Sequence, residues 1–166
     1  MIREIEDYER CYKIIIESFS DVNNILGITE KSCPGNSGYM TYNKFQNELS
    51  KGLKLYGYYQ PELVACIGLY KKSDVRTKIK MLSVLPKYRH LGIGKELMLF
   101  AESKADEKLV LGMIYDNQKL FNWYLTLGYE VDKIKTYRGN DYKVAYMEKT
   151  IEKNISEEGV KKHNSM

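Results

Sequence analysis

The chain has 166 residues, of which 43% are hydrophobic, and a formal net charge of +4. This length fits one compact domain, and no apolar run approaches the roughly 20 residues needed to cross a bilayer. Residues 1–7 alternate charged side chains with Ile, which is not the pattern of a signal peptide. We therefore expect a cytoplasmic protein without a membrane partner.

Cysteine and basic residues exclude two further classes. Cys11, Cys33 and Cys66 are far apart, and the chain has only two histidines, so the sequence supports neither a disulfide framework nor a metal site. Lysine and arginine are spread along the chain rather than gathered on one stripe. Although fifteen tyrosines could stack on bases, we expect no nucleic-acid partner.

The first third predicts a short strand and two helices. Residues 1–5 alternate as a strand does, and residues 8–19 repeat apolar side chains with helical spacing, with Asp7 as a plausible N-cap. Residues 20–42 lose this pattern and contain the most turn-rich segment, so we predict a long loop. A second helix is predicted over residues 41–49.

The middle of the chain predicts three strands. Residues 53–59 and 63–70 flank a short turn and should form an antiparallel hairpin. In the strand predicted over residues 79–85, apolar alternation slips by one residue between Met81 and Leu82. The slip indicates either a β-bulge, which would splay this strand from its neighbour, or a strand buried on both faces.

The last third alternates helices and strands. We predict a helix over residues 94–105, a strand over 109–115 that is buried on both faces and parallel to the preceding strand, and a helix ended by Gly128. Two further strands are predicted over residues 129–138 and 142–150. The order β-α-α-β-β-β-α-β-α-β-β is an α/β fold with a mixed sheet, formed by a domain of residues 1–150 and a polar tail, 151–166, expected to fray.

A possible anion site follows the predicted motif strand. An apolar run ends at Pro86, a basic turn follows, and Gly92 and Gly94 open a helix. The first N–H groups of a helix lack intrahelical partners and attract anions. The spacing fails for a Walker A loop, which needs Gly at Arg89 and Ser or Thr at Glu96, and for the dinucleotide fingerprint, which needs a third small residue at Leu97.

Two segments resemble one family. Arg-x-x-Gly-x-Gly over residues 89–94, after a Val-x-Pro strand end, resembles the acyl-CoA pyrophosphate loop of the GCN5-related N-acetyltransferase (GNAT) superfamily. The segment Asn-Gln-Lys-Leu-Phe-Asn-Trp-Tyr-Leu-Thr-Leu-Gly-Tyr over residues 117–129 is similar to the last helix of that family. Both motifs occur in the family's order, and the predicted element order matches as well.

The resemblance implies acetyl-CoA as co-substrate, no metal, and a set of site residues. A backbone N–H of Leu82 or Val84 would face the thioester carbonyl on a splayed central sheet, Asn117 would contact the cofactor, and Tyr124 would be the general acid. The pyrophosphate would be held by the loop residues Arg89, His90, Leu91, Gly92, Ile93, Gly94 and Lys95. Periodicity alone favours Tyr124 as a packing residue in the apolar stripe of its helix, and only the resemblance favours the acid role; the His90 side chain could contact phosphate, support the loop or be exposed.

We accordingly expect an N-acetyltransferase that moves an acetyl group to a primary amine by direct attack in a ternary complex. The alternative is a non-catalytic module of the same fold that binds acyl-CoA as a sensor or for a partner. The acceptor, a small-molecule amine or a protein or peptide amine, should contact residues 20–42 and 133–143. No general base emerges from the sequence, and a monomer and a homodimer are equally compatible with it.

Overall fold

Seven β-strands and four α-helices build the part of the chain that the computed structural model describes, residues 1–139 and 141–152. Their order is the one predicted. In chain order they are β1 (Ile2–Glu4), α1 (Tyr8–Leu26), α2 (Tyr42–Ser50), β2 (Lys54–Tyr59), β3 (Leu63–Lys71), β4 (Arg76–Val84), α3 (Ile93–Lys104), β5 (Lys108–Ile114), α4 (Gln118–Thr126), β6 (Glu130–Thr136) and β7 (Lys143–Thr150).

The strands form one mixed sheet in the order β1-β2-β3-β4-β5-β7-β6. Neighbouring strands are antiparallel except β4 and β5, which are parallel as predicted. The chain reaches β5 from β4 through α3, because two parallel neighbours need a long crossover connection. The predicted α/β class with a mixed sheet is therefore confirmed.

Helices cover both faces of the sheet and bury two hydrophobic clusters. α1 and α2 pack on one face, where Ile14, Ile15 and Phe45 are fully buried. α3 and α4 pack on the other face, where Leu97 and Met98 lie against β3, β4 and β5. We call these the α1/α2 face and the α3/α4 face.

α1 is longer than predicted, since it continues to Leu26 instead of ending near residue 19. Its last two turns bury polar side chains: Ser18 Oγ donates to the Val84 carbonyl at 3.0 Å, and Asn23 donates to the Asn36 side chain at 2.8 Å. Polar residues on the buried side of the helix interrupt its apolar repeat. The sequence pattern therefore ends before the helix does. The predicted Asp7 cap is confirmed, with the Arg10 N–H donating to its carboxylate at 3.0 Å.

The slip between Met81 and Leu82 is a β-bulge. Cys66 pairs with Ser83 but Gly68 pairs with Lys80, so β4 carries one residue more than β3 across this interval. Met81 takes up the extra residue with a φ of +58°, in the left-handed region. As a result Met81 packs on the α1/α2 face, whereas Leu82 and Val84 pack on the α3/α4 face.

The prediction that the strand after α3 is buried on both faces was wrong. On β5, Leu109, Leu111 and Met113 are buried toward the α3/α4 face, but Gly112 on the opposite face is exposed. Apolar residues at nearly every position hide this asymmetry in the sequence. The predicted tail lies outside the described residues from 153 onward, as does position 140 in the predicted turn before β7, so fraying of the tail stays a prediction.

Gly68 lies opposite the bulge and leaves no room for a side chain. A Cβ there would lie 2.9 Å from the Lys80 carbonyl oxygen and 2.9 Å from Leu53 Cδ1. We expect Gly68→Ala to lower the free energy of unfolding by about 1–3 kcal/mol, because the backbone carbonyl cannot move aside as a side chain would. Urea denaturation measures this change.

The matched control for this prediction is Gly35→Ala. Its Cβ would meet no atom within 4 Å, so the unfolding free energy should change by less than about 0.5 kcal/mol. If Gly68→Ala proved as stable as the Gly35 variant, the close approach of β3 and β4 at the bulge would be contradicted.

Candidate active site

A fork between β4 and β5 forms the cleft. The two strands pair over only three residues each, ending at Lys78 and Val110. Beyond that point β4 stays with β3 as far as Val84, and β5 stays with β7 as far as Ile114. The gap opens into a cavity of about 1050 Å³ that reaches from the α1/α2 face to the α3/α4 face. One ligand can therefore enter from each face and meet the other between the strands.

The edge of β4 that faces the fork carries unpaired backbone donors. The Leu85 N–H donates to Val64 O on β3 at 3.1 Å. Because alternate N–H groups of a strand point to opposite sides, those of Val84 and Leu82 point into the fork. The Val84 carbonyl accepts from Ser18 Oγ at 3.0 Å and Arg89 Nε at 3.1 Å. The N–H groups are thus the free polar groups at the end of this edge, and an extended amide chain can pair with them.

The N-terminus of α3 lies beside this edge and is open to an anion. Gly92 is its N-cap residue with a φ of +82°, and no side chain of residues 1–139 or 141–152 caps the helix. The Glu96 N–H reaches the Gly92 carbonyl, so the N–H groups of Ile93, Gly94 and Lys95 precede the first helical hydrogen bond. A Cβ on Gly92 would meet no atom of the described chain within 4 Å, so the backbone at the start of the helix is open on that side.

His90 and Leu91 form the exposed turn that leads into α3. His90 has a φ of +64°, a conformation that most residues avoid but in which His, Asn and Asp are enriched. Its side chain is exposed, and Leu91 is 64% exposed. The turn therefore presents its backbone rather than an enclosed imidazole to the cleft.

The Arg89 side chain is hydrogen-bonded to α1 and to the end of β4. Its guanidinium donates to the Asp21 carboxylate at 2.6 Å, to the Ser18 carbonyl at 3.0 Å and, through Nε, to the Val84 carbonyl. Its own N–H donates to the Pro86 carbonyl at 3.3 Å. The side chain expected to hold phosphate instead ties the loop and the end of β4 to α1, so among the loop's cationic side chains Lys95, which is exposed, is free for an anion.

α4 forms the wall opposite the open edge of β4. The side-chain oxygen of Asn117 accepts from the Leu120 N–H at 3.2 Å and caps the helix, so its amide nitrogen remains as a donor to the cleft. Trp123 lies across from α3, and a Cβ on Gly94 would be 3.5 Å from its ring. The indole therefore lies within van der Waals reach of the loop at position 94.

Tyr124 is 5% exposed and lines the cleft. Its ring contacts those of Trp123 and Tyr129, at centroid distances of 5.1 Å and 5.8 Å. Within residues 1–139 and 141–152 no hydrogen bond occupies its hydroxyl, although the hydroxyl is not sealed from the cleft as that of Tyr129 is. Burial raises the pKa of the Tyr124 phenol well above its ordinary value, so it stays protonated.

The half of the cleft on the α1/α2 face holds residues that the sequence did not single out. Lys80 Nζ lies 3.1 Å from the Glu48 carboxylate, joining β4 to α2, and Lys78 precedes them on the same face. The signal in the sequence is Lys78-Ile-Lys80, two charges at strand spacing before the bulge. We call this region, with Lys44 and Tyr146, the acceptor half of the cleft.

The structure brings the predicted site residues together around one cavity, with the Arg89 guanidinium held there by Asp21, Ser18 and Val84. Leu82, Val84, the loop 90–95, Asn117 and Tyr124 surround one cavity. Within the described part of the chain no cluster of His, Cys, Asp and Glu could hold a metal ion. None of the helices described is long and apolar enough to cross a membrane.

Removing the Arg89 guanidinium should mainly lower stability, whereas removing the Lys95 ammonium should mainly weaken coenzyme A binding. Arg89→Met should lower the free energy of unfolding by about 1–2 kcal/mol, since charge-assisted hydrogen bonds to Asp21, Ser18 and Val84 are lost from a partly exposed site. Lys95→Met should leave stability within about 0.5 kcal/mol but weaken coenzyme A binding, most strongly at low salt. Thermal unfolding without ligand and calorimetric titration with coenzyme A measure the two effects. An Arg89→Met protein of unchanged stability that no longer binds coenzyme A would contradict the clamp.

Solved structures share this fold. The N-acetyltransferase PaiA of Thermoplasma acidophilum, in complex with coenzyme A, is 24% identical with a TM-score of 0.70, covering 90% of this chain and 98% of that one. The ribosomal-protein-S18-alanine N-acetyltransferase of Escherichia coli is 14% identical with a TM-score of 0.67, covering 92% and 94%. At these identities the likeness shows the fold alone.

Sequence comparison adds relatives and a family. An amino-acid acetyltransferase of Pseudomonas syringae pv. syringae is 29% identical over 97 residues, which are 56% of this chain and 22% of that protein. The chain thus matches about a fifth of the length of such relatives. The model of the Acetyltransferase (GNAT) family matches residues 9–129, well over half of the chain. The chain therefore belongs to the GNAT acetyltransferase family.

Proposed function

We propose that the protein is an N-acetyltransferase that moves the acetyl group of acetyl-CoA to a primary amine in a ternary complex. The observation that carries this proposal is the fork itself. It joins an open strand edge, an uncapped helix N-terminus and the Tyr124 hydroxyl around one cavity. Cytoplasmic location and a monomeric or homodimeric state stay predictions.

The cofactor would enter from the α3/α4 face. Its pyrophosphate would accept from the N–H groups of Leu91 to Lys95, where the helix dipole favours negative charge. The amide-bearing arm would then pair with the free N–H groups of β4 in the manner of an added strand. Leu82, which follows the bulge directly, would direct its N–H at the thioester carbonyl, and the amide nitrogen of Asn117 would contact the arm from the opposite wall.

The reaction would proceed by direct attack. The amine nitrogen forms a bond to the thioester carbon while the carbonyl oxygen gains charge near the Leu82 N–H, as an oxyanion donor requires. The carbon–sulfur bond then breaks, and the thiolate takes the Tyr124 hydroxyl proton. Burial raises the pKa of this phenol, and it would also raise the pKa of a thiol formed beside it. The proton would therefore pass between two groups in the same apolar surroundings.

Glu48 would receive the proton that the attacking nitrogen loses. It is the only carboxylate among the described residues that line the cleft, and it lies on the face from which the acceptor would enter. Its partner Lys80, at 3.1 Å, keeps the carboxylate oriented toward β4. The acceptor would therefore be bound between α2, the fork and the outer face of β5 and β7.

Replacing Tyr124 by Phe tests the acid assignment. Turnover should fall by roughly 10²-fold or more, the effect expected of a lost general acid. Coenzyme A affinity should change little, because the ring and its packing remain. Thiol release from acetyl-CoA with an amine panel measures turnover, and calorimetry measures affinity.

Tyr129→Phe is the matched control. This neighbouring tyrosine is 1% exposed, and its hydroxyl is the buried side-chain polar atom without a partner in the described chain. Its removal should leave turnover intact and stability equal or higher. If the Tyr124 and Tyr129 variants both kept full turnover, Tyr124 would not be the acid. If the parent protein bound coenzyme A but released no thiol with any amine, the chain would be a binding module rather than a transferase.

A further inference from the structure

The acceptor half of the cleft is basic. Among the described residues that line the whole cavity, the one carboxylate, Glu48, is already paired with Lys80. Lys44 and Lys78 add two more ammonium groups on the same side. An amine acceptor is itself a cation in water, so a site with this balance repels a simple amine or a polyamine. The acceptor must bring negative charge with it.

An anionic ligand would stabilise the Lys78 ammonium. The Lys78 side chain is half-buried, and within residues 1–139 and 141–152 its ammonium makes neither an ion pair nor a hydrogen bond. Burial first, and then the ammonium groups of Lys80 and Lys72, lower the pKa of Lys78, while Glu48 acts in the opposite direction. A half-buried ammonium without a partner is costly unless a ligand supplies the missing charge.

The position of Lys78 relates such an anion to the reacting centre. It is the last residue of β4 that pairs with β5, so it lies at the apex of the fork. Leu82, whose N–H points into the fork, is four residues farther along the strand, a distance of roughly 10–13 Å. The flexible lysine stem shortens this gap, so one small molecule can contact the ammonium at one end and the thioester at the other.

Resting on the function proposed above, we infer that the acceptor is a small amino carboxylate whose carboxylate binds the Lys78 ammonium while its amine faces the thioester. The Lys80–Glu48 pair lies between these two ends of the acceptor. The Lys80 ammonium would lie between Glu48 and the acceptor's carboxylate and reduce the repulsion between these two anions. Glu48 would then lie beside the acceptor's amine.

The test compares free L-α-amino acids with their α-carboxamides as acceptors, using thiol release from acetyl-CoA. The two members of each pair have nearly the same size and shape, and they differ in the negative charge and in the basicity of the amine. The carboxamide has the less basic amine, which is more often unprotonated at neutral pH, so amine ionisation cannot produce a preference for the free acid. We expect kcat/KM to favour the free acid of the best pair by roughly tenfold or more, as for a charge-assisted contact.

Variants then locate the contact. Lys78→Met should raise the KM for the free acid about tenfold or more, leave its KM for the carboxamide and for acetyl-CoA unchanged, and leave thermal stability equal or higher because an unpaired ammonium is removed. Lys78→Glu should reverse the preference. The control is Lys54→Met, which changes an exposed lysine on β2 away from the cleft and should alter none of these values.

Three results would overturn the inference. Carboxamides used as well as free acids would show that no carboxylate is recognised, and unchanged KM values in a folded Lys78→Met protein would show that the contact lies elsewhere. In both cases thiol release would still support the transferase itself. Absence of thiol release with every amine, despite coenzyme A binding, would overturn the proposed function and this inference together.

Discussion

The site depends on one extra residue in β4. A regular strand would keep its neighbour β5 in register along its whole length, and the sheet would be closed where the cleft now lies. Met81 absorbs the additional residue in a left-handed conformation, and the pairing of β4 with β5 ends three residues earlier, at Lys78. Everything that follows in the proposed mechanism, from the free N–H groups to the two-sided entry, needs that separation.

The bulge also determines on which face of the sheet the side chains of β4 lie. Before it, Lys78 and Lys80 face α2; after it, Leu82 and Val84 face α3 and α4. One strand thus presents charged side chains to the acceptor half and apolar side chains to the cofactor half. Gly68 on β3 allows this by admitting the Lys80 carbonyl where any side chain would collide with it. The separation of β4 from β5 and the distribution of charged side chains along β4 therefore both result from the bulge.

A second constraint fixes the anion loop. Arg89 and Ser18 both bind the Val84 carbonyl, and Arg89 also binds Asp21, so these hydrogen bonds connect the loop and the strand end to α1. The guanidinium is thereby already paired within the protein. In the proposed mechanism the phosphates are therefore bound by the backbone N–H groups at the start of α3, next to the exposed left-handed turn at His90.

Local patterns in the sequence predicted much of the fold because its elements follow them. The helical stripes, the cap Asp7, the glycines at positions 92 and 128 and the slip at Met81 each reflect an interaction within a few residues. The failures have a common cause in contacts between distant segments. Ser18 and Asn23 interrupt the stripe of α1 because they bind Val84 of β4 and Asn36 of the loop after α1, and the sequence does not reveal the ion pair of Arg89 because its partner Asp21 is 68 residues away. The ion pair between Lys80 and Glu48, which joins β4 to α2, was not predicted for the same reason.

The central claim, that the cofactor pairs with the open edge of β4, is tested most directly by amide hydrogen exchange with and without coenzyme A. Ser83 and Leu85 point their N–H groups at β3 and should be protected in both states, which makes them internal controls. The amides of Leu82 and Val84 should exchange rapidly in the free protein and become protected when coenzyme A binds. Coenzyme A binding that left the exchange of Leu82 and Val84 unchanged would contradict the account.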